Sequence, residues 1–412
     1  MAAVNAVETE GRRLRVFEAL QHRDFRLLFA GQSVSLIGDA AFLTTLGWKT
    51  FTFAGATKLG IVLTCESVAL LATLLIGGAL ADRFSRRRMM ILSDLLRLAA
   101  VGALAAVDAS GHLGFGTLVV FATVVGLGDG LFYPAFGGMV PLLVEQPLIA
   151  SANSLIGVAR WGSLLVGPIF AGFLYEPAGS SGVFAADAAT FLLSAGLVLA
   201  TRPRVVDRAE PEGTLAGILS GTRYVAKVPW LWVTIALFGV VLMLQFAPQQ
   251  VLVPKLVAEQ WGRGVQAYAL LTTFLGAGTV IGTLLFGQLQ PHRRRGVLFY
   301  AVFLVNSLSI LAFALSPWYE LAGGLAVVRG VCIGFGVALW ETMLMELVPE
   351  QLLSRVVSLD YFGSFGLMPV GLAFSAAVAG LAAPGTLIAV GAGIATVLFA
   401  AVLTRPWLRE VD

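Results

Sequence analysis

Gly78-Ala79-Leu80-Ala81-Asp82-Arg83-Phe84-Ser85-Arg86-Arg87-Arg88 joins two apolar stretches, 59–80 and 89–108. A bilayer crossing needs about 20 mostly apolar residues, and each stretch meets that length. The arginines between them stay out of hydrocarbon, so the turn lies at a membrane surface. Lys and Arg collect on the cytoplasmic side of membrane proteins, which places this turn inside. Its order also suits a gate. Gly78 lets helices approach closely, and Asp82 suits the positive N-terminal end of a neighbouring helix. Arg83, Arg86 and Arg87 suit carboxylates or anionic lipid heads. An ordinary basic loop is the plainer reading of the same residues.

Working outward, the same criterion places further spans near 25–53, 113–136, 154–175 and 182–201. A second set follows near 229–254, 265–289, 297–316, 318–342, 356–381 and 385–404. Twelve spans in two sets of six predict an all-α membrane protein. The expected divisions are an N-terminal segment 1–24, a six-helix bundle 25–201, a linker 202–228, a second bundle 229–404 and a tail 405–412. With this count every arginine-rich connection falls on one side: Arg12, Arg13 and Arg15, the 2–3 turn, Arg202 to Lys227, Arg293 to Arg295, and Arg405 with Arg409. Both termini are therefore expected in the cytoplasm. The segment Gly11–Phe25 reads either as an amphipathic helix on the inner leaflet or as a basic tail.

Composition agrees. Of 412 residues, 58% are hydrophobic and 12% charged, with a mean hydropathy of +0.87. A soluble domain carries roughly a quarter charged residues, so the apolar excess must face lipid. Basic residues are scattered over many loops and form no single face for nucleic acid. The first 24 residues are polar, so no cleavable signal peptide is expected. Cys65 and Cys332 each lie inside an apolar stretch and read as small buried residues. His22, His112 and His292 fall in loops, which predicts no metal site. No Gly-x4-Gly-Lys-Ser/Thr loop occurs, so ATP is not the expected power source. No cofactor and no enzymatic activity are expected.

An offset of 204 residues aligns Gly126 with Gly330, Gly130 with Gly334, Gly162 with Gly366, and Val166-Gly167 with Val370-Gly371. Parallel six-helix halves that rock about a midplane site are one transporter architecture.

The 2–3 turn resembles the loop signature of the major facilitator superfamily, with Ser85 where the family usually has a second glycine. In span 5, Gly162-Ser163-Leu164-Leu165-Val166-Gly167-Pro168-Ile169-Phe170-Ala171-Gly172 is similar to the superfamily's antiporter signature, with Ala171 where a glycine is common. Gly162, Gly167 and Gly172 would allow close packing, and Pro168 would bend the helix. A glycine-rich membrane helix is the plainer reading. Phe25-Arg26-Leu27-Leu28, Gly31-Gln32, Gly38-Asp39, Asp94-Leu95-Leu96-Arg97, Tyr133-Pro134-Ala135, Leu339-Trp340-Glu341-Thr342, Val348-Pro349-Glu350 and Ser358-Leu359-Asp360 resemble the macrolide-efflux and enterobactin-exporter branch. That resemblance implies a major facilitator fold in the cell inner membrane, working by alternating access, and tilts direction toward export. Span 4 lacks the arginine that many drug–proton antiporters use, so coupling through that residue does not carry over.

Ionisable residues at membrane depth cost roughly 2.5–3.5 kcal/mol on insertion scales and are kept when paired or functional. Asp39 is the first candidate for a proton or cationic substrate. It sits mid-span between Gly38 and Ala40, with no cation within one helical turn. Lys49 and Glu66 flank the expected turn at Ala54–Lys58 and are expected to form a salt bridge, either structural or an outer gate. Asp94 and Arg97, three apart on one helix face, are expected to be mainly structural and near the inner gate. Asp129 and Arg160 form a further possible pair, although their depths differ. Asp187, Arg329, Glu341 and Asp360 read as structural. Gln245, Gln249 and Gln250, with Pro248 and Pro254, suggest a broken span 7 beside the substrate path.

Taken with these residues, the resemblance implies a proton-coupled antiporter that exports an amphiphilic drug, antibiotic or siderophore, and a monomer is expected. Its expected partners are the small-molecule substrate, the proton and the lipid bilayer. An importer or lipid translocator on the same fold, or a membrane scaffold that does not transport, are the alternatives.

Overall fold

The computed structural model describes residues 15–204 and 214–411. Within its helices, the side chains of 15–16, 75–83, 147, 150, 214–220, 350–351, 354 and 409–410 lie outside the description. The described residues form helices, turns and bends, with no strand. Helix is what lipid demands, because each backbone N–H and C=O must be satisfied within its own segment.

The helices are α1 (Arg23–Arg83), α2 (Arg86–Ala109), α3 (Phe115–Met139), α4 (Ile149–Leu199) and α5 (Thr214–Lys227). They continue as α6 (Pro229–Val241), α7 (Ala247–Glu259), α8 (Val265–Leu289), α9 (Arg295–Leu315) and α10 (Tyr319–Leu347). The last are α11 (Glu350–Phe365), α12 (Met368–Val378) and α13 (Pro384–Leu403). Among the described residues, ten helical segments are long and apolar enough to cross a membrane.

Two of the ten are far longer than a crossing needs, at 52 and 49 residues. A straight helix of about 50 residues would run about 75 Å, more than twice a hydrocarbon core of about 30 Å. Each is broken at one glycine: Gly55 at φ 85, ψ 167, and Gly179 at φ 64, ψ −170. Side chains rarely reach this backbone region. A Cβ at either position would meet nothing within 4 Å, so glycine is needed there for its dihedrals and not for space. Gly55 falls within the expected Ala54–Lys58 turn.

The chain divides into two compact units. The first comprises Met1–Thr45 and Cys65–Arg208. Its core joins Phe25 and Leu28 of α1 to Met90 of α2, Ala135 and Met139 of α3, and Leu155 and Val198 of α4. Here Gly126 and Gly130 of α3 rest on the second half of α1: added Cβ atoms would lie 2.2 Å from the Glu66 carbonyl and 2.5 Å from that of Leu70. Gly167 of α4 rests on the first half of α1, 2.5 Å from Ala40 by the same measure.

The second unit comprises Leu46–Thr64 and Ala209–Asp412. Its core is aromatic, built on Phe299, Tyr300 and Phe303 of α9 with Phe399 of α13. Phe238 of α6 meets Phe303 edge-on at 4.7 Å. Within this unit Trp48 stacks on Tyr268 at 5.9 Å, and Gly60 rests against Ala376. Gly330 and Gly334 of α10 rest on α8, and Gly371 of α12 rests on the turn that carries Met243. Of the glycines aligned by the 204-residue offset, Gly126 and Gly130 thus repeat the task of Gly330 and Gly334, each bringing a pair of backbones into contact, whereas nothing lies within 4 Å of a Cβ at Gly162.

Candidate functional site

In the first unit Asp39, Asp94 and Asp129 gather around Arg97. Asp94 and Arg97 lie three apart on α2, so both point from one face. Arg97 donates through Nη2 to Asp94 Oδ1 at 2.5 Å. Through Nη1 it donates to Asp129 Oδ1 on α3 at 3.0 Å. The same Nη1 lies 3.9 Å from Asp39 Oδ2 on α1. One guanidinium therefore faces three carboxylates from three helices.

Its surroundings hold it in place. The rings of Phe132 and Phe191 lie 4.6 and 4.4 Å from the guanidinium carbon, a cation–π arrangement. Gly128 leaves room for the arginine stem, since a Cβ there would fall 2.6 Å from Arg97 Cγ. The far oxygen of Asp94 accepts the Ser194 hydroxyl at 2.7 Å, and Ser194 accepts Gln32 Nε2 at 2.8 Å. Asp94 is thus saturated from two sides. Accessibility rises outward from it: side-chain exposure is 0% for Asp94, 3% for Arg97, 18% for Asp129 and 33% for Asp39. The inner pair is fixed, and the outer two carboxylates share what remains of the arginine.

Two further acids approach this group. Glu66 lies within electrostatic reach of Asp129 and Asp39. Asp187 of α4 packs under Gly38, where a Cβ would stand 2.3 Å from its Oδ1. Asp187 is buried, and its Oδ2 has no hydrogen-bond partner among the described residues.

The structure re-sorts several sequence expectations. Asp39 has its cation after all, supplied by α2 and not by its own helix. Asp94 and Arg97 join Asp39 and Asp129. Asp129 pairs with Arg97, while the Arg160 side chain is exposed and makes no ion pair among the described residues. Helix periodicity could show the Asp94–Arg97 face, but not which helices pack against it. Lys49 belongs to the second unit and Glu66 to the first, and the bridge between them stays an expectation.

Gly78, Asp82 and Arg83 of the 2–3 turn lie outside the residues whose side chains are described. Arg86 and Arg87 of this turn cap helix ends. Arg86 donates through Nη1 to the Gly138 carbonyl at the end of α3. Arg87 donates to the Val198 carbonyl at 3.3 Å and to that of Leu199 at the end of α4. Cations there satisfy orphan carbonyls and oppose the negative helix end. Ser85 sits at φ −64, ψ 124, a conformation open to any residue, so the turn does not require glycine there.

In the span 5 motif, Gly167 and Pro168 are buried and Gly172 is buried too, while nothing lies within 4 Å of a Cβ at Gly162. Gly167 sets the spacing to Ala40, next to Asp39. In the second unit a π-helical turn, Leu242–Phe246, lies within span 7, while Pro248 and Pro254 sit inside the helix that follows it, so the break expected at those prolines and the substrate path beside it stay expectations. Gln245 and Gln249 are buried and engaged within the unit, Gln245 donating to Ser307 Oγ at 2.8 Å. Asp360 accepts Trp340 Nε1 at 2.9 Å and Ser364 Oγ at 3.2 Å.

Residues 28–359 match the family model of the Major Facilitator Superfamily. The chain belongs to that superfamily. It is 26% identical over 357 residues to the enterobactin exporter EntS of Escherichia coli O139:H28 (strain E24377A / ETEC), covering 81% of this chain and 80% of that one. The same figures hold for EntS of Shigella boydii serotype 18 (strain CDC 3083-94 / BS512). A mutant of the nucleoside transporter NupG superposes with a TM-score of 0.75 at 13% identity, over 94% of this chain and 100% of its own. A bacterial homologue of the iron transporter ferroportin, inward-facing, superposes with a TM-score of 0.70 at 16% identity, over 93% and 99%. This superfamily member is therefore a multi-pass, non-enzymatic membrane transporter of the secondary type, in the branch that the enterobactin exporter represents.

Proposed function

We propose that the chain is a proton-coupled antiporter that exports an amphiphilic small molecule, such as a drug, antibiotic or siderophore, by alternating access. The reading takes α1 and α4 as crossing twice each, at Gly55 and Gly179, which makes twelve crossings with both termini in the cytoplasm of an inner-membrane monomer.

One observation carries it: a single nitrogen, Arg97 Nη1, stands between two partly exposed carboxylates, at 3.0 Å from Asp129 and 3.9 Å from Asp39. With Asp94 holding the other end of the guanidinium, Arg97 cannot neutralise both. A proton or a substrate at Asp39 leaves Arg97 to Asp129, and loss of either turns Arg97 back toward Asp39. Proton and substrate then compete for one place, as exchange requires. The resemblance to exporters supports the outward direction.

The test is substrate-induced proton flux in proteoliposomes, wild type against Asp39→Asn. Coupled flux should be lost in the variant while the protein still inserts and folds. Undiminished coupled flux would remove Asp39 from the mechanism.

A further inference from the structure

Arg329 of α10 poses the opposite electrostatic problem. It is 6% exposed and lies ten residues from the start of its helix, about 15 Å along the axis and so near half the depth of a hydrocarbon core. A guanidinium keeps its proton in proteins, so this charge cannot be discharged. Yet among the described residues it has no carboxylate partner. Nη2 donates to Gln249 Oε1 on α7, the Phe313 ring lies 4.8 Å from its central carbon, and Nε is buried without a partner.

The residues around it are arranged to hold it. Gln249 donates from its amide to the Gln245 carbonyl at 2.7 Å, and Gln245 donates to Ser307 Oγ at 2.8 Å. The π-turn at Leu242–Phe246 sits where it can set the facing of these two amides. Such turns recur at functional sites. An amide oxygen and an aromatic face offset part of a buried charge but supply no counter-charge. Arg97, by comparison, has three carboxylates.

We propose that Arg329 is a binding site for a compact monovalent anion, either a free halide or the carboxylate of a solute. Nε with a terminal nitrogen offers the planar fork that a carboxylate fits. Gln249 is the acceptor with which the anion competes for the guanidinium. The site lies wholly in the second unit and does not rest on the proton-exchange reading at Asp39.

The test is thermal unfolding of the full chain in nanodiscs, followed by tryptophan fluorescence at constant ionic strength. Chloride or acetate replaces a bulky organic sulfonate in steps. Wild type should show a saturable rise in midpoint with at least one of the two anions, and Arg329→Gln should lose it. A rise with acetate alone identifies a solute carboxylate, and a rise with chloride identifies a halide. Gln249→Leu removes the one acceptor that the guanidinium has among the described residues, so it should saturate at lower anion concentration. Asp39→Asn should leave the response intact. No anion-dependent rise in wild type, an equal rise in Arg329→Gln, or an unchanged half-saturation point in Gln249→Leu would overturn the proposal.

Discussion

Asp94 and Arg97, less than one turn apart on α2, are joined by a 2.5 Å hydrogen bond in which both side chains are buried. The pair is the fixed part of the acidic cluster. Ser194 and Gln32 complete Asp94, and two aromatic rings hold Arg97. What remains free to change partner is Nη1 of Arg97, with Asp129 and Asp39 on its accessible side.

Removing the arginine should therefore harm folding as well as transport. Arg97→Ala strands Asp94 as a buried charge, and breaking such a pair costs about 3–5 kcal/mol. Thermal denaturation in detergent should show that loss. Arg97→Ala with Asp94→Asn should regain part of it, because the stranded charge is gone. Arg97→Lys should rescue poorly, since an ammonium cannot bridge Asp94 and Asp129 as a planar fork does.

The pH behaviour follows from the direction of exchange. If a proton enters as substrate leaves, raising external pH at fixed internal pH and potential weakens the drive. One pH unit is worth about 1.36 kcal/mol per proton. The steady-state substrate gradient should fall about tenfold per unit for one proton exchanged. Asp39→Asn should abolish that dependence, and measurement of accumulated substrate in vesicles at graded external pH checks both.

Gly55 and Gly179 should tolerate no side chain despite open space around both. Each holds a backbone region that costs other residues about 1–3 kcal/mol. Gly55→Ala and Gly179→Ala should lower thermal stability by that amount. Gly162→Ala, in a helix with nothing within 4 Å of the added carbon, should be neutral or slightly stabilising.

Gly167→Val should act at a distance from any charge. Its side chain would meet Ala40 and the Ile37 carbonyl, pushing α4 away from the segment that carries Asp39. Overpacking of this kind costs about 1–3 kcal/mol. Transport should fall more than stability, as read by flux and unfolding on the same sample.

Orientation is open to labelling. Single cysteines in place of Arg87 and Arg294, in a chain with Cys65 and Cys332 replaced, should react with an impermeant reagent from the same face. Labelling from opposite faces would contradict the twelve-crossing plan.

Much of this protein was legible in its chain. Apolar length and arginine placement specify membrane helices, because lipid offers the backbone no other partner. The repeat was legible through Gly126, Gly130, Gly330 and Gly334, since close backbone contact admits almost nothing else. Asp94 with Arg97 was legible as one helix face. The tertiary structure alone decided that Asp39 and Asp129 share Arg97 and that, among the described residues, Arg160 makes no ion pair and Arg329 has no acid partner. Helix periodicity fixes which side of a helix a residue occupies. Which helix faces it depends on packing between segments remote in sequence, and a buried charge takes its meaning from those neighbours.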